Sequence, residues 1–157
     1  GVIMNIGIIV HSRTGNTLSV AKRIKESLEQ KGHSVDLKRV TAINEEPAPN
    51  ETVLLKDNPE ISNYDAVIFG APVHAFSLSQ VMSAYLKQIP SLENKRVNCF
   101  VTQKFPFSFL GGNHSVNQMK KICVEKKAEF GNTGIVNWSN KKREELIKNV
   151  VESCGEV

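Results

Sequence analysis

Residues 12–17 read Ser12-Arg13-Thr14-Gly15-Asn16-Thr17, and their types suit an anion site. Hydroxyls recur along the stretch, and Gly15 lets the backbone turn tightly. If a helix starts here, its first backbone N–H groups have no internal partner and face the same space. Such a nest holds a phosphate monoester without requiring a lysine. The plainer reading is a polar strand-to-helix turn capped by Thr14 or Asn16. Six residues alone leave both open.

Other chemistries lack their residues. No Gly-x-Gly-x-x-Gly follows the first strand, and no Gly-x-x-x-x-Gly-Lys-Ser/Thr is present, so dinucleotide-fold and P-loop sites are not indicated. A phospho-receiver wants carboxylates near its first strand and an aspartate ending its third, where this chain has His11-Ser12 and Gly70-Ala71. His11, His33 and His114 are dispersed and read as surface residues. No metal cluster or Ser-His-Asp set is expected, and no residue is assigned as catalytic. Cys99, Cys123 and Cys154 lack clustered spacing and read as buried thiols of a reducing compartment.

The elements that must position residues 12–17 follow from periodicity. Ile6 to Val10 is a short apolar run, read as a strand buried on both faces. Leu18, Val20, Ala21, Ile24 and Leu28 share one helical face that ends near Gly32. Val35 and Leu37 alternate with polar residues, as on an edge strand. Ala66–Ala71, Val97–Thr102 and Gly134–Trp138 read as further strands. Helical stripes run through Leu78–Ile89, Val116–Cys123 and Leu146–Cys154. Pro47, Pro49 and Pro59 forbid a long helix in 41–63, although Thr52–Asp57 could form a short one. The alternation predicts one α/β domain over 1–157, with a parallel sheet covered by helices on both faces.

Ligands of such sheets bind beyond the carboxyl ends of the strands, where the strand order reverses. Two more loops lie there. One spans Ala71-Pro72-Val73-His74-Ala75-Phe76-Ser77. The other spans Thr102-Gln103-Lys104-Phe105-Pro106-Phe107-Ser108-Phe109-Leu110-Gly111-Gly112, whose three phenylalanines are too many for a bare solvent loop.

At this point the sequence resembles the flavodoxin family. Residues 12–17 match that family's Ser/Thr-x-Thr-Gly-x-Thr phosphate loop, and Gly70–Ala75 is similar to its Gly-x-Pro-Val-aromatic-Ala segment beside the flavin. The resemblance implies a flavodoxin-like doubly wound fold, a five-stranded parallel sheet in the order 2-1-3-4-5, and FMN as cofactor. It implies phosphate binding by Ser12 to Thr17. It implies ring contacts from Pro72, Val73, His74, Ala75 and Phe76, and from Thr102, Gln103, Lys104, Phe105, Phe107, Gly111 and Gly112. His74 stands where relatives often carry tryptophan or tyrosine. Trp138 is read as packing. The three loops hold no Asp or Glu but do hold Arg13, His74 and Lys104. This composition predicts a reduced flavin less disfavoured than in acidic family members.

Composition fits this reading. The 157 residues are 40% apolar and 23% charged, with a formal net charge of +4. The run Lys141-Lys142-Arg143-Glu144-Glu145 reads as a solvated helix face, so neither nucleic acid nor membrane is an expected partner. The opening residues lack the pattern of a signal peptide, which makes the cytoplasm the expected location. The expected function is FMN-based electron transfer with partner proteins or a small-molecule acceptor. The alternatives are a small NAD(P)H-dependent flavin oxidoreductase of quinone reductase type and an interaction module without flavin.

Overall fold

The structure is a computed structural model that describes residues 2–157. In chain order its elements are β1 (Asn5–Val10), α1 (Asn16–Gln30), β2 (Ser34–Arg39), β3 (Ala66–His74), β4 (Ser77–Leu78), α2 (Gln80–Gln88), β5 (Arg96–Gln103), α3 (Gly112–Glu125), β6 (Glu129–Asn137) and α4 (Arg143–Cys154). The sheet runs β2-β1-β3-β5-β6 with every neighbouring pair parallel. After β1 the chain turns to one side of the sheet for β2, then crosses to the other side for β3. The carboxyl ends of β1 and β3 therefore bound the crevice where the strand order reverses.

Alternate residues of the central strands feed two cores. Ile6, Ile8, Val10, Ile68 and Phe100 pack with Val20, Ile24 and Leu28 of α1 and with Ile147 and Val150 of α4. Ile9, Val67, Phe69, Val97 and Val101 pack with Val81, Met82 and Tyr85 of α2 and with Met119 and Cys123 of α3. All three cysteines are buried. Burial pushes the thiols of Cys123 and Cys154 up to about 12, as inert structural thiols require.

Two expectations need correction. The sheet holds six strands rather than five, and the order is 2-1-3-5-6 rather than 2-1-3-4-5, because β4 pairs antiparallel with β3 off the main path. The extra strand arises where the second loop folds back on itself as a hairpin. Thr52–Asp57 forms no helix. Ile43 N–H donates to Leu54 O at 2.8 Å and Lys56 N–H to Thr41 O at 2.8 Å, so this stretch lies antiparallel to Thr41–Asn44. The Asn44 side chain closes the pairing, accepting from Leu54 N–H and donating to Thr52 O, both at 2.8 Å. That excursion carries Glu45 and Glu46 to the end of β1.

Candidate functional site

The stretch 12–17 leads into α1, with Gly15 at the N-cap in the left-handed region, φ 94°. Glycine brings no capping side chain, and Ser12 Oγ satisfies only Leu18 N–H at 3.2 Å. A lost cap costs about 1 kcal/mol, whereas each buried Val, Ile or Leu on the helix face contributes roughly 1.5–3 kcal/mol. Packing thus holds α1 in place with its first-turn donors open to an anion. Two contacts fix the loop. Thr17 Oγ1 lies 2.8 Å from Thr102 Oγ1 at the end of β5, and Arg39 Nη2 donates to Ser12 O at 2.7 Å.

Pro72, Val73 and His74 continue β3, and Ser77–Leu78 returns along it. The two residues of the turn, Ala75 and Phe76, both have positive φ, 49° and 63°. This is the twist that a two-residue hairpin demands, usually met by Asn-Gly. With alanine and phenylalanine it stores strain, of the order of 1 kcal/mol or more per residue. Gln118 of α3 braces the return strand, its Oε1 accepting from Leu78 N–H at 2.9 Å and from Ser77 Oγ at 3.0 Å. Gly111, φ 112°, packs so tightly on this turn that a Cβ there would meet Phe76 Cα at 2.7 Å.

A cleft of about 560 Å³ opens between these pieces, lined by Thr14, Asn16, Pro72, Val73, His74, Thr102, Gln103, Lys104, Trp138, Ser139 and Arg143. It brings members of all three loops to one wall. Phe76, Phe105 and Phe107 do not line it. Phe76 stacks on Phe105 with centroids 5.6 Å apart, and Phe107 stacks on Phe109 at 5.5 Å. Gly112 lies against the Gln103 side chain, whose Nε2 donates to Phe107 O at 3.1 Å while its Oε1 is buried without a partner.

Trp138, Ser139 and Arg143 were not among the expected site residues. Trp138 N–H donates to Gln103 O at 2.7 Å, which hangs its ring beside the end of β5. The Arg143 guanidinium sits 5.0 Å from the centre of that ring. The position of Trp138 directly after a strand was the one available signal. For Arg143 there was none.

Carboxylates also approach, contrary to the composition of the loops. Arg13 Nη1 pairs with Glu46 Oε1 at 2.8 Å. His11 is not a surface residue: it is 1% exposed, with Nε2 2.8 Å from Glu45 Oε1 and Nδ1 2.7 Å from Ser79 Oγ. The ionised Glu45 can only accept, so the Nε2 proton goes to Glu45, and in the neutral ring Nδ1 then accepts from the Ser79 hydroxyl, whose oxygen also accepts from Met82 N–H at 3.1 Å. Burial, the strongest influence on His11, holds its imidazolium form down despite Glu45. Burial opposes ionisation of Glu45, but hydrogen bonds from His11 and Ala42 outweigh it and hold that carboxyl below its ordinary range. His74 lies edge-on to His11, centroids 6.2 Å apart, and is likewise lowered by desolvation, then by His11 and Arg13. His74, which lines the cleft, is therefore neutral near pH 7, with the buried His11 ring beside it.

The cleft fits a flavin mononucleotide in kind. It has an uncapped helix terminus for the phosphate, apolar walls from Pro72, Val73 and Trp138, and polar side chains of Thr14, Asn16 and Ser139 on its lining.

Comparison with known proteins gives the same picture. The flavodoxin domain model matches residues 7–106. An NAD(P)H dehydrogenase (quinone) of Archaeoglobus fulgidus is 33% identical over 99 residues, covering 52% of this chain and 47% of that protein. The chain thus spans about half the length of that curated relative. The Streptococcus pneumoniae TIGR4 flavodoxin superposes with a TM-score of 0.69 at 17% identity, over 96% of this chain and 97% of its own. A flavoprotein in complex with FMN from Lactobacillus acidophilus gives 0.65 at 16% identity, over 84% and 93%. At these identities the two structures bear on the fold alone. No helix among the described residues is long and apolar enough to cross a membrane.

Proposed function

The chain belongs to the flavodoxin domain family and is an FMN-binding redox protein, and from that premise we propose that residues 1–157 act as one domain that passes electrons to and from partner proteins in the cytoplasm. The observation that carries this reading is the uncapped start of α1 at one end of the cleft, tied to β5 through the Thr17–Thr102 hydroxyl pair. FMN supplies the electron chemistry when bound. In this reading Ser12, Thr14, Gly15, Asn16 and Thr17 hold the phosphate, with Arg13 at the mouth. Pro72, Val73 and His74 line one side of the ring and Ala75 shapes the turn behind them. Thr102, Gln103 and Lys104 meet the polar edge. Phe76, Phe105 and Phe107 wall the site from outside through their stack and loop, with Gly111 and Gly112 setting the loop's close approach.

A second reading rests on the Archaeoglobus relative: a reductase that takes hydride from NAD(P)H and reduces a quinone. The purified protein loaded with FMN separates the two. Oxidation of NAD(P)H with a quinone panel supports the reductase. Reduction only by a protein donor, with NAD(P)H inert, supports the carrier. Failure to retain FMN would overturn both.

A further inference from the structure

We propose that the four phenylalanines beside the cleft, flanked by Lys104 and the run Lys141 to Arg143, form the docking face for an acidic redox protein. This rests on the electron-transfer reading above and names the kind of partner the site meets.

Phe76, Phe105, Phe107 and Phe109 are 56%, 45%, 55% and 74% exposed, large values for rings of this size standing together. They form two face-to-face pairs, Phe76 on Phe105 and Phe107 on Phe109. The patch is continuous with the cleft, because Lys104 and His74 line the cleft and are followed in the chain by Phe105 and by the Ala75-Phe76 turn.

The loop is also held in shape. Asn137 Nδ2 donates to Phe105 O at 3.3 Å, Asn140 Nδ2 to Pro106 O at 3.1 Å, and Gln103 Nε2 to Phe107 O at 3.1 Å. Aromatic side chains fixed before contact lose little entropy on association, which is how interface anchors work.

Charge selects the partner. The loop that braces Pro106 continues into Lys141, Lys142 and Arg143, and Ser139 of the same loop ties it to Lys104, whose carbonyl accepts the Ser139 backbone N–H at 3.2 Å. Of the nearby acids, Glu144 is turned to Arg23 of α1 at 2.7 Å, leaving Glu145 against four cations. Glu46 is paired with Arg13, and Glu45 keeps its charge but is held at the end of β1 by the neutral His11, away from the loop that carries Lys141 to Arg143 in the chain. A second copy would bring the same cations together and be repelled. A protein with carboxylates around its own redox centre is attracted and steered, with its apolar centre meeting the phenylalanines.

The FMN-loaded protein, reduced with dithionite, is mixed in a stopped-flow instrument with soluble cytochrome b5, an acidic haem protein, or with cytochrome c, a basic one. Haem absorbance is followed as ionic strength rises from about 10 to 300 mM, enough to shorten the Debye length severalfold. The cytochrome b5 rate is expected to fall by about tenfold or more, and the cytochrome c rate to stay level or rise. Lys141→Glu with Lys142→Glu should remove the salt dependence toward cytochrome b5. Phe109→Ser should slow that transfer severalfold at every salt concentration. FMN content and dithionite reduction are measured for each variant. Loss of FMN in the unaltered protein would defeat the functional reading itself. Normal FMN content with a salt-independent cytochrome b5 rate, or with no effect of the lysine and phenylalanine substitutions, would overturn the docking face alone. So would dimerisation in sedimentation that Phe109→Ser abolishes, or retention on phosphatidylserine vesicles that the lysine substitutions abolish while cytochrome b5 transfer is unchanged.

Discussion

His11 Nε2 lies 2.8 Å from Glu45 Oε1, joining the end of β1 to a segment with no regular secondary structure of its own. The carboxylate's other oxygen accepts the backbone N–H of Ala42 at 2.5 Å, so Glu45 pins its own segment as well. Because the folded protein holds His11 below its ordinary value of 6.5, the unfolded chain binds more protons between the folded value and 6.5. Stability contributed by the neutral histidine is therefore complete above pH 6.5 and lost as pH falls through the folded value. Glu45→Gln removes the influence that raises His11, so the loss should extend to lower pH. Stability at pH 7.5 should fall by about 1–2 kcal/mol, as for a hydrogen bond to a partly exposed charge. Urea unfolding at pH 5.5 and 7.5 tests this, and a variant with unaltered midpoints at both pH values would mean the pair carries no stability.

In the proposed phosphate loop, recognition and structure separate. Thr14 is exposed at the cleft, whereas the buried Thr17 hydroxyl is also bonded to Thr102. Thr14→Ala should weaken FMN by roughly 1.5–3 kcal/mol, leave riboflavin affinity alone and spare thermal stability. Thr17→Ala should lose FMN affinity and also about 1 kcal/mol of stability. Equal affinity of the unaltered protein for FMN and riboflavin would move the phosphate elsewhere.

The strained hairpin makes a prediction of opposite sign. Ala75→Gly relieves the positive φ of 49° and should stabilise the protein by about 0.5–1 kcal/mol. Gly111→Ala must place a methyl group against the Phe76 backbone at φ 112° and should destabilise by at least about 1–3 kcal/mol. Chemical denaturation of both, with opposite shifts in midpoint, is the expected result.

Trp138 lines the cleft although sequence alone suggested packing. Trp138→Leu should weaken FMN by roughly 1–2 kcal/mol, within the range for a lost aromatic contact, and should alter the visible band shape of the bound flavin. Retention of both affinity and spectrum would return Trp138 to a packing role.

His74 is lowered by desolvation, and its charge develops only on the acid side of 6.5. A cation beside the cleft favours a reduced flavin that carries negative charge. The potential of the FMN-loaded protein should therefore exceed that of His74→Asn below about pH 6.5 and converge with it above about pH 7.5. Potentiometric titration from pH 5 to 8.5 reads the difference directly. Superimposed curves throughout would show no coupling between His74 and the flavin.

Local signals in the chain determined the order of the five parallel strands and four helices, the polar turn at 12–17 between β1 and α1, and the crevice beyond the strand ends. Apolar periodicity and glycine placement act over a few residues, so Ile6–Val10 followed by 12–17 could be read directly. The β3–β4 hairpin could not, because Ala75-Phe76 lacks the Asn-Gly signal of its turn and is held there by Gly111 at the start of the distant α3 and by Gln118 within it. Nor could the charges beside the site. Glu45 and Glu46 reach His11 and Arg13 only because residues 41–57 fold back antiparallel. The same holds for the third loop. Its phenylalanines were visible as an excess, but long-range hydrogen bonds from Asn137 and Asn140 fix the loop, and stacking against one another and Phe76 turns the rings outward. Apart from the Phe107–Phe109 stack and the fold-back of 41–57, these pairings join residues about thirty or more positions apart, and no local pattern encodes which distant partner wins the contact.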